Sequence, residues 1–280
     1  MAIALAFLCA VVYGVADYSG GRASRLAPAA YVTVVGQFAS LLVVFVAVQI
    51  AGTPLPDTHN VIWGVVAGLT GGMALGAFYY ALSHGAMTVV APITAVTSAV
   101  IPVVVGLLEG ERPSALAYVG MVAAVAAVAL VSGAIGSRHQ HARRSTLFFA
   151  FVAGVGFAVI FIALDKTTSD AGVWPLVVAR LCSISLMLVI VATTRTSLRG
   201  HGSVWKLAIF GGVLDMAANL LYVVAVRRGL LSVVVVVVAL YPVSTVSLAF
   251  GLDRERVTRS QSVGMALAVA ALVLVSVAGA

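Results

Sequence analysis

The chain has 280 residues, 62% of them hydrophobic and only 9% charged, with a formal net charge of +7. A soluble domain carries about 25% charged residues; at a mean hydropathy of +1.15 this chain could not dress a water-facing surface, so it reads as an integral membrane protein. The apolar runs do not alternate with polar residues, which excludes a β-barrel, and no phosphate-binding GxxxxGK[ST] loop or room for a soluble domain remains.

A membrane-spanning helix needs about 20 residues, and ten such runs follow one another along the chain. The first five are predicted near residues 2–18, 30–50, 61–82, 87–108 and 115–132. The second five are predicted near residues 147–164, 173–192, 204–226, 230–252 and 261–278. The opening run, MAIALAFLCAVVYGV, lacks a basic leader and reads as a first span rather than a cleaved signal. The polar stretch GSRHQHARRS at residues 136–145 divides the chain into two units, residues 1–138 and 139–280.

The two units repeat. A shift that carries Gly85 onto Gly229 also carries Ala81 onto Ala225, Glu111-Arg112 onto Glu255-Arg256 and Gly120-Met121 onto Gly264-Met265. Alanine and valine matches are common in membrane helices, but Gly and Glu-Arg matches are costly coincidences there. With five spans each, the halves enter the membrane from opposite sides, an inverted repeat suited to alternating access. The expected fold is therefore all-α: ten transmembrane helices in two inverted five-helix bundles. Loops after odd-numbered spans hold most of the basic residues, including Arg22, Arg25, Arg195 and Lys206. The positive-inside rule then places those loops in the cytoplasm and both termini outside a cell membrane crossed many times.

A few side chains could carry chemistry. Asp17, in VVYGVADYSGG, and Asp215, in FGGVLDMAANLLYVVAV, are carboxylates at membrane depth. Each must be paired, hydrated or protonated there, which makes both candidates for proton coupling. Asp17 also lies close enough to the end of its predicted span to reach headgroups or Arg22. Asp215, Asn219 and Tyr222 share one helix face by their spacing, either lining a wet cavity or clamping helices together. Arg180 is the one basic residue deep inside a span, and its expected partner is an acid. Pro92 and Pro102 in the fourth span and Pro242 in the ninth remove backbone donors. The carbonyls so freed can line a cavity beside Thr94, Thr97, Ser98, Tyr241 and Ser244. Tyr13 is a further cavity candidate, whereas Tyr79 and Tyr80 fit a cavity or an interfacial belt equally well. The third span carries Gly64, Gly68, Gly72 and Gly76, a small-residue ridge for close helix packing.

Cys9 and Cys182 read as buried small side chains, with no disulfide or metal spacing. Neither a metal-binding HExxH cluster nor a GxSxG nucleophile is present, so no catalytic residue, metal or cofactor is expected. The partners expected are membrane lipid, a small-molecule solute and protons, with no nucleic acid; the sequence is silent on oligomeric state.

The stretch FYYALSHGAMTVVAPITAVTSAVIPVVVGLLEGERPS, with its Gly-Ala-x-x-Val-Val-Ala-Pro and Gly-Glu-Arg-Pro patterns, resembles the drug/metabolite transporter superfamily, specifically its EamA-type ten-helix members. The second half resembles it more loosely, keeping Gly229, Pro242, Glu255 and Arg256. The resemblance implies secondary transport of small metabolites, amino acids or drugs, usually export. It also implies a central cavity walled by the first, third, fourth, sixth, eighth and ninth helices, and both termini in the cytoplasm, opposite to the charge count. A non-transporting scaffold or regulatory subunit is the alternative reading. It requires neither inverted halves nor intramembrane carboxylates.

Overall fold

The computed structural model describes residues 1–85, 87–131, 144–198, 203–253 and 258–278, and among them every regular element is helical. The first repeat comprises α1 (Ala2–Ser24), α2 (Ala29–Ala51), α3 (Thr58–His84), α4 (Met87–Leu108) and α5 (Ala115–Val131). The second comprises α6 (Arg144–Asp165), α7 (Trp174–Thr194), α8 (Val204–Val226), α9 (Leu231–Val238), α10 (Tyr241–Asp253) and α11 (Arg259–Ala278). Among the described residues, eight apolar runs are long enough to cross a membrane and α4 and α5 add two shorter ones; α9 and α10 are the halves of one span. Most of the junction at residues 136–145, together with Arg254, Glu255 and Arg256, lies outside the described residues.

Helix ends follow their capping chemistry. α3 starts at Thr58, before the expected 61, because the Asp57 carboxylate accepts from the Asn60 backbone N–H (3.0 Å) and the Asn60 side chain (2.6 Å). α11 opens with a reciprocal box in which Thr258 Oγ1 accepts from Gln261 N–H and Gln261 Oε1 accepts from Thr258 N–H. α1 runs six residues past its expected end at 18. Ser19 and Ser24 return their hydroxyl protons to the carbonyls of Val15 and Gly21, and Arg22 donates to the Tyr18 hydroxyl. Polar groups thus satisfied against their own helix do not terminate it. Asp17 consequently sits within α1 rather than at its end.

The Asp57 cap carries a pH signature. Its hydrogen bonds from Asn60 hold the carboxyl below the usual range, so its contribution is present above the unfolded pKa and is lost as pH falls through the folded one. Asp57→Ala is expected to lower the melting temperature at pH 7 and to make no difference at pH 2. A gap that persists unchanged at both pH values contradicts the cap.

The helices pack in pairs that the repeat exchanges. α1 lies against α8 and α6 against α3, α2 lies against α8 and α7 against α3, and α1 meets α9 and α10 as α6 meets α4. α5 and α11, the last spans of the two halves, pair with each other. At the close crossings, glycines let backbones touch. A Cβ on Gly212 would strike the Gly36 carbonyl, and one on Gly64 would stand 2.9 Å from the Pro175 carbonyl. Along α3 the contact is tightest at Gly68, where a Cβ would strike the Ala179 carbonyl, and the ridge then opens away from α7: the nearest atoms to such a Cβ lie 3.1 Å away at Gly72 and 3.5 Å at Gly76. A cleft of about 970 Å³ occupies the wedge so formed, bounded by the α1–α2 turn and the ends of α3 and α7, with Met73, Tyr80, Phe149 and Met187 in its walls. The faces turned outward are apolar, as lipid contact requires; Leu42, Ile50, Val122 and Val269 are all exposed.

The ninth span breaks at Ala239–Leu240, one residue before Pro242. Pro242 takes the second position of α10, where no intrahelical N–H is needed. The fourth span corrects the expectation of a matching break. α4 continues as one helix past Pro92 and Pro102, because each proline deletes a single ladder bond and its neighbours carry the helix on.

Candidate functional site

A cavity of about 40 Å³ lies between the repeats, walled by Tyr13 and Asp17 of α1, Leu75 of α3, Ser98 of α4, Phe157 and Phe161 of α6, Asp215 of α8 and Tyr241 of α10. These belong to the first, third, fourth, sixth, eighth and ninth spans. Its size admits a water or two. The helix break puts Tyr241 there: the ring sits on the first residue of α10, and its hydroxyl donates across to the Ala91 carbonyl (3.2 Å).

The two carboxylates of this cavity differ. Asp215 forms an ion pair with Arg180, whose other nitrogen donates to Gln37 Oε1 at 2.9 Å. Ser183 donates to the same oxygen at 2.8 Å. The cluster joins α2, α7 and α8, and Gln37 is almost wholly buried. Inside a bilayer such a network neutralises Asp215 and fixes the guanidinium plane. Arg180 also faces a smaller void of about 20 Å³, shared with Gly68, Ala179 and Asn219. Asp17 has neither an ion-pair nor a hydrogen-bond partner among the described residues, and Asp215 is the charge that acts on it. The cavity therefore holds one compensated and one uncompensated carboxyl, ringed by Tyr13, Phe157, Phe161 and Tyr241.

The other polar candidates are placed elsewhere. Tyr222 is fully buried and donates to the Phe161 carbonyl (2.9 Å), tying α8 to α6. Thr94 donates to the Ala150 carbonyl (3.0 Å), and Thr97 packs on Gly154. Ser244 donates to Ala10 and Tyr241 carbonyls, and the Asn219 amide returns to the Asp215 carbonyl of its own helix. The bonds of Tyr222, Thr94 and Ser244 fasten neighbouring helices rather than line the cavity, each worth about 0.6–2 kcal/mol in a membrane. Tyr79 is buried against Gly20 and Tyr80 stacks on His84 at the cleft. Sequence reasoning passed over Gln37, although it interrupts an apolar run in YVTVVGQFAS. It also missed Phe157 and Phe161, whose four-residue spacing gives them one face.

The end of the bundle where α1 begins is laced shut by loop contacts. Lys166 pairs with Glu109. Asn60 exchanges hydrogen bonds with Thr168, and Arg227 donates to Thr167 Oγ1 (3.2 Å) and the Thr168 carbonyl (2.9 Å). Both carboxylate oxygens of Glu111 accept from the first turn of α9, from Leu231 N–H (2.6 Å) and Ser232 N–H (3.0 Å).

Two copies of one family pattern, that of the EamA-like transporter family, match residues 1–133 and 144–277. The chain belongs to the EamA-like transporter family. It is thus a membrane transporter of the drug/metabolite superfamily. A solved crystal structure of a protein 18% identical to this EamA-like transporter superposes with a TM-score of 0.76, covering 98% of each chain. At that identity the likeness is one of fold. Among curated proteins none matches.

Proposed function

We propose that this EamA-like chain is a secondary transporter of the cell membrane that moves small cationic or zwitterionic solutes, by alternating access, in exchange for protons bound at Asp17. The carrying observation is the unequal state of the two cavity carboxylates: Arg180 compensates Asp215, and nothing among the described residues compensates Asp17. A solute ammonium or a proton can supply what Asp17 lacks, and the two then compete for one site, which is the elementary requirement of exchange. The aromatic ring of Tyr13, Phe157, Phe161 and Tyr241 suits an organic cation, whose charge is attracted by π faces. In its present size the cavity admits water alone, so the solute-bound state needs one end of the bundle to part. The bearing of the two repeats on opposite ends supplies equivalent ways of doing so.

The test uses purified protein in proteoliposomes with an imposed pH gradient, and a panel of amino acids, primary amines and quaternary ammonium ions preselected by thermal stabilisation. Saturable, gradient-driven flux of a cationic or zwitterionic solute is expected. Asp17→Asn is expected to abolish the response to pH while leaving a folded protein. Undiminished coupling in that variant rejects the role of Asp17, and absence of saturable flux for any solute in the wild type favours a scaffold instead.

A further inference from the structure

We infer that Glu111 is the latch that holds the α1 end of the bundle closed, and that Gly110 and Glu111 of the Gly-Glu-Arg-Pro motif build it. The carboxylate comes from the α4–α5 loop of the first repeat, yet it caps a helix of the second, taking two backbone N–H donors at the start of α9. Unpaired N–H groups at a helix start carry partial positive charge, so an acid there makes strong, charge-assisted bonds.

The local sequence shapes this contact. Gly110 adopts a positive φ of 98° that turns the chain, and the Glu111 N–H returns to the Gly106 carbonyl (2.9 Å). The side chain then folds back over α4 into the space that Gly106 leaves, where a Cβ would come within 2.8 Å of the Glu111 carboxyl carbon. Gly106 is therefore the cradle, Gly110 the turn and Glu111 the latch. Arg112 is exposed and, among the described residues, donates to the carbonyls of Leu107 at the end of α4 and of Glu111.

What the latch holds is the cover over the route to Asp17. Cys9, Tyr13 and Asp17 are spaced four apart on α1, so they form one stripe running from the closed end to the cavity. Cys9 is fully buried between α8 and α9: its thiol donates to the Ala218 carbonyl of α8 (3.2 Å), and Leu231, Val234, Val235 and Val238 of α9, which packs on α1, belong to the same apolar cluster. Release of α9 from Glu111 uncovers Cys9 first and the cavity next. The inference rests on the transporter reading for its purpose, but its test needs no solute.

The test is the rate at which a water-soluble maleimide labels Cys9 in full-length protein held in lipid nanodiscs, with Cys182→Ala to leave a single thiol. Wild-type labelling should be slow, and Glu111→Gln and Gly106→Ala should each raise it roughly tenfold, the scale of a lost helix cap. Arg112→Gln should leave it unchanged. A cysteine introduced at Ala153, fully buried toward the other end, serves as the control for general loosening. Unchanged Cys9 labelling in a folded Glu111→Gln protein overturns the latch, as does a rise at Ala153→Cys equal to that at Cys9. Faster labelling without any measurable flux would leave the latch standing and reject the transport reading; flux without faster labelling would do the reverse.

Discussion

Replacing Arg180 with methionine is expected to be the most damaging single change in the interior, lowering stability by about 3–5 kcal/mol and the melting temperature by on the order of 10 °C. The reason is the group left behind. Asp215 keeps its place in the cavity wall but loses its counter-charge, and it then stands beside the uncompensated Asp17 with room for only a water or two between them. Gln37 loses a donor at the same time and retains only Ser183. Asp215→Leu should hurt for the mirror-image reason. The double variant Arg180→Met/Asp215→Leu should recover most of the loss, because removing both members of a buried pair also removes their desolvation cost. Thermal melting of the three proteins in one detergent checks this; additive losses in the double variant would show that the pair is not energetically coupled. Flux separates the roles further, since the double variant should retain proton coupling through Asp17.

Gly212→Ala should come second, with a loss of about 1–3 kcal/mol or more from overpacking. The new methyl group would press on the Gly36 carbonyl, which is backbone and cannot swing aside. It would also disturb the bond from Ser40 Oγ to the Gly212 carbonyl (2.6 Å) that clasps α2 to α8. Gly76→Ala is the informative contrast. There a Cβ meets only the end of the Met187 side chain at 3.5 Å, so the variant should be neutral or gain up to about 1 kcal/mol from helix propensity. Equal melting shifts for the two would mean that the glycine crossing of α2 and α8 carries no particular strain.

How much of this was legible beforehand depended on the range of the interaction. Apolar runs of about 20 residues announce membrane helices by themselves, because the bilayer leaves backbone groups no other partner. The eighth span, residues 204–226, therefore agrees with α8 at both ends. Where polar side chains bond to their own turn, as Ser19 and Ser24 do in α1, polarity misleads about the end of a helix. Asp17 read as a residue near an interface for that reason. Pro242 signalled the broken span, whereas Pro92 and Pro102 gave the same signal in a helix that runs on; the difference lies in packing, which one strand of residues does not encode locally. That Arg180 pairs with an acid followed from cost alone, but the choice of Asp215 over Asp17, and the part of Gln37, are decided by which helices cross. The partners of Glu111 lie 120 and 121 positions away, beyond any local pattern.

The pairing of α5 with α11 has a practical corollary. Both helices stand outside the cavity walls, locked together where Gly120 meets Val275 and Ala271, while Val122, Val269 and Val273 look outward. The pair walls no part of the cavity, and its inner residues Met121, Ala268 and Ala271 share an apolar cluster with Tyr241. A fluorophore carried on its outer valines can therefore serve as a fixed reference from which displacements of α9 are measured, and substitutions there should alter expression or self-association while leaving solute preference intact.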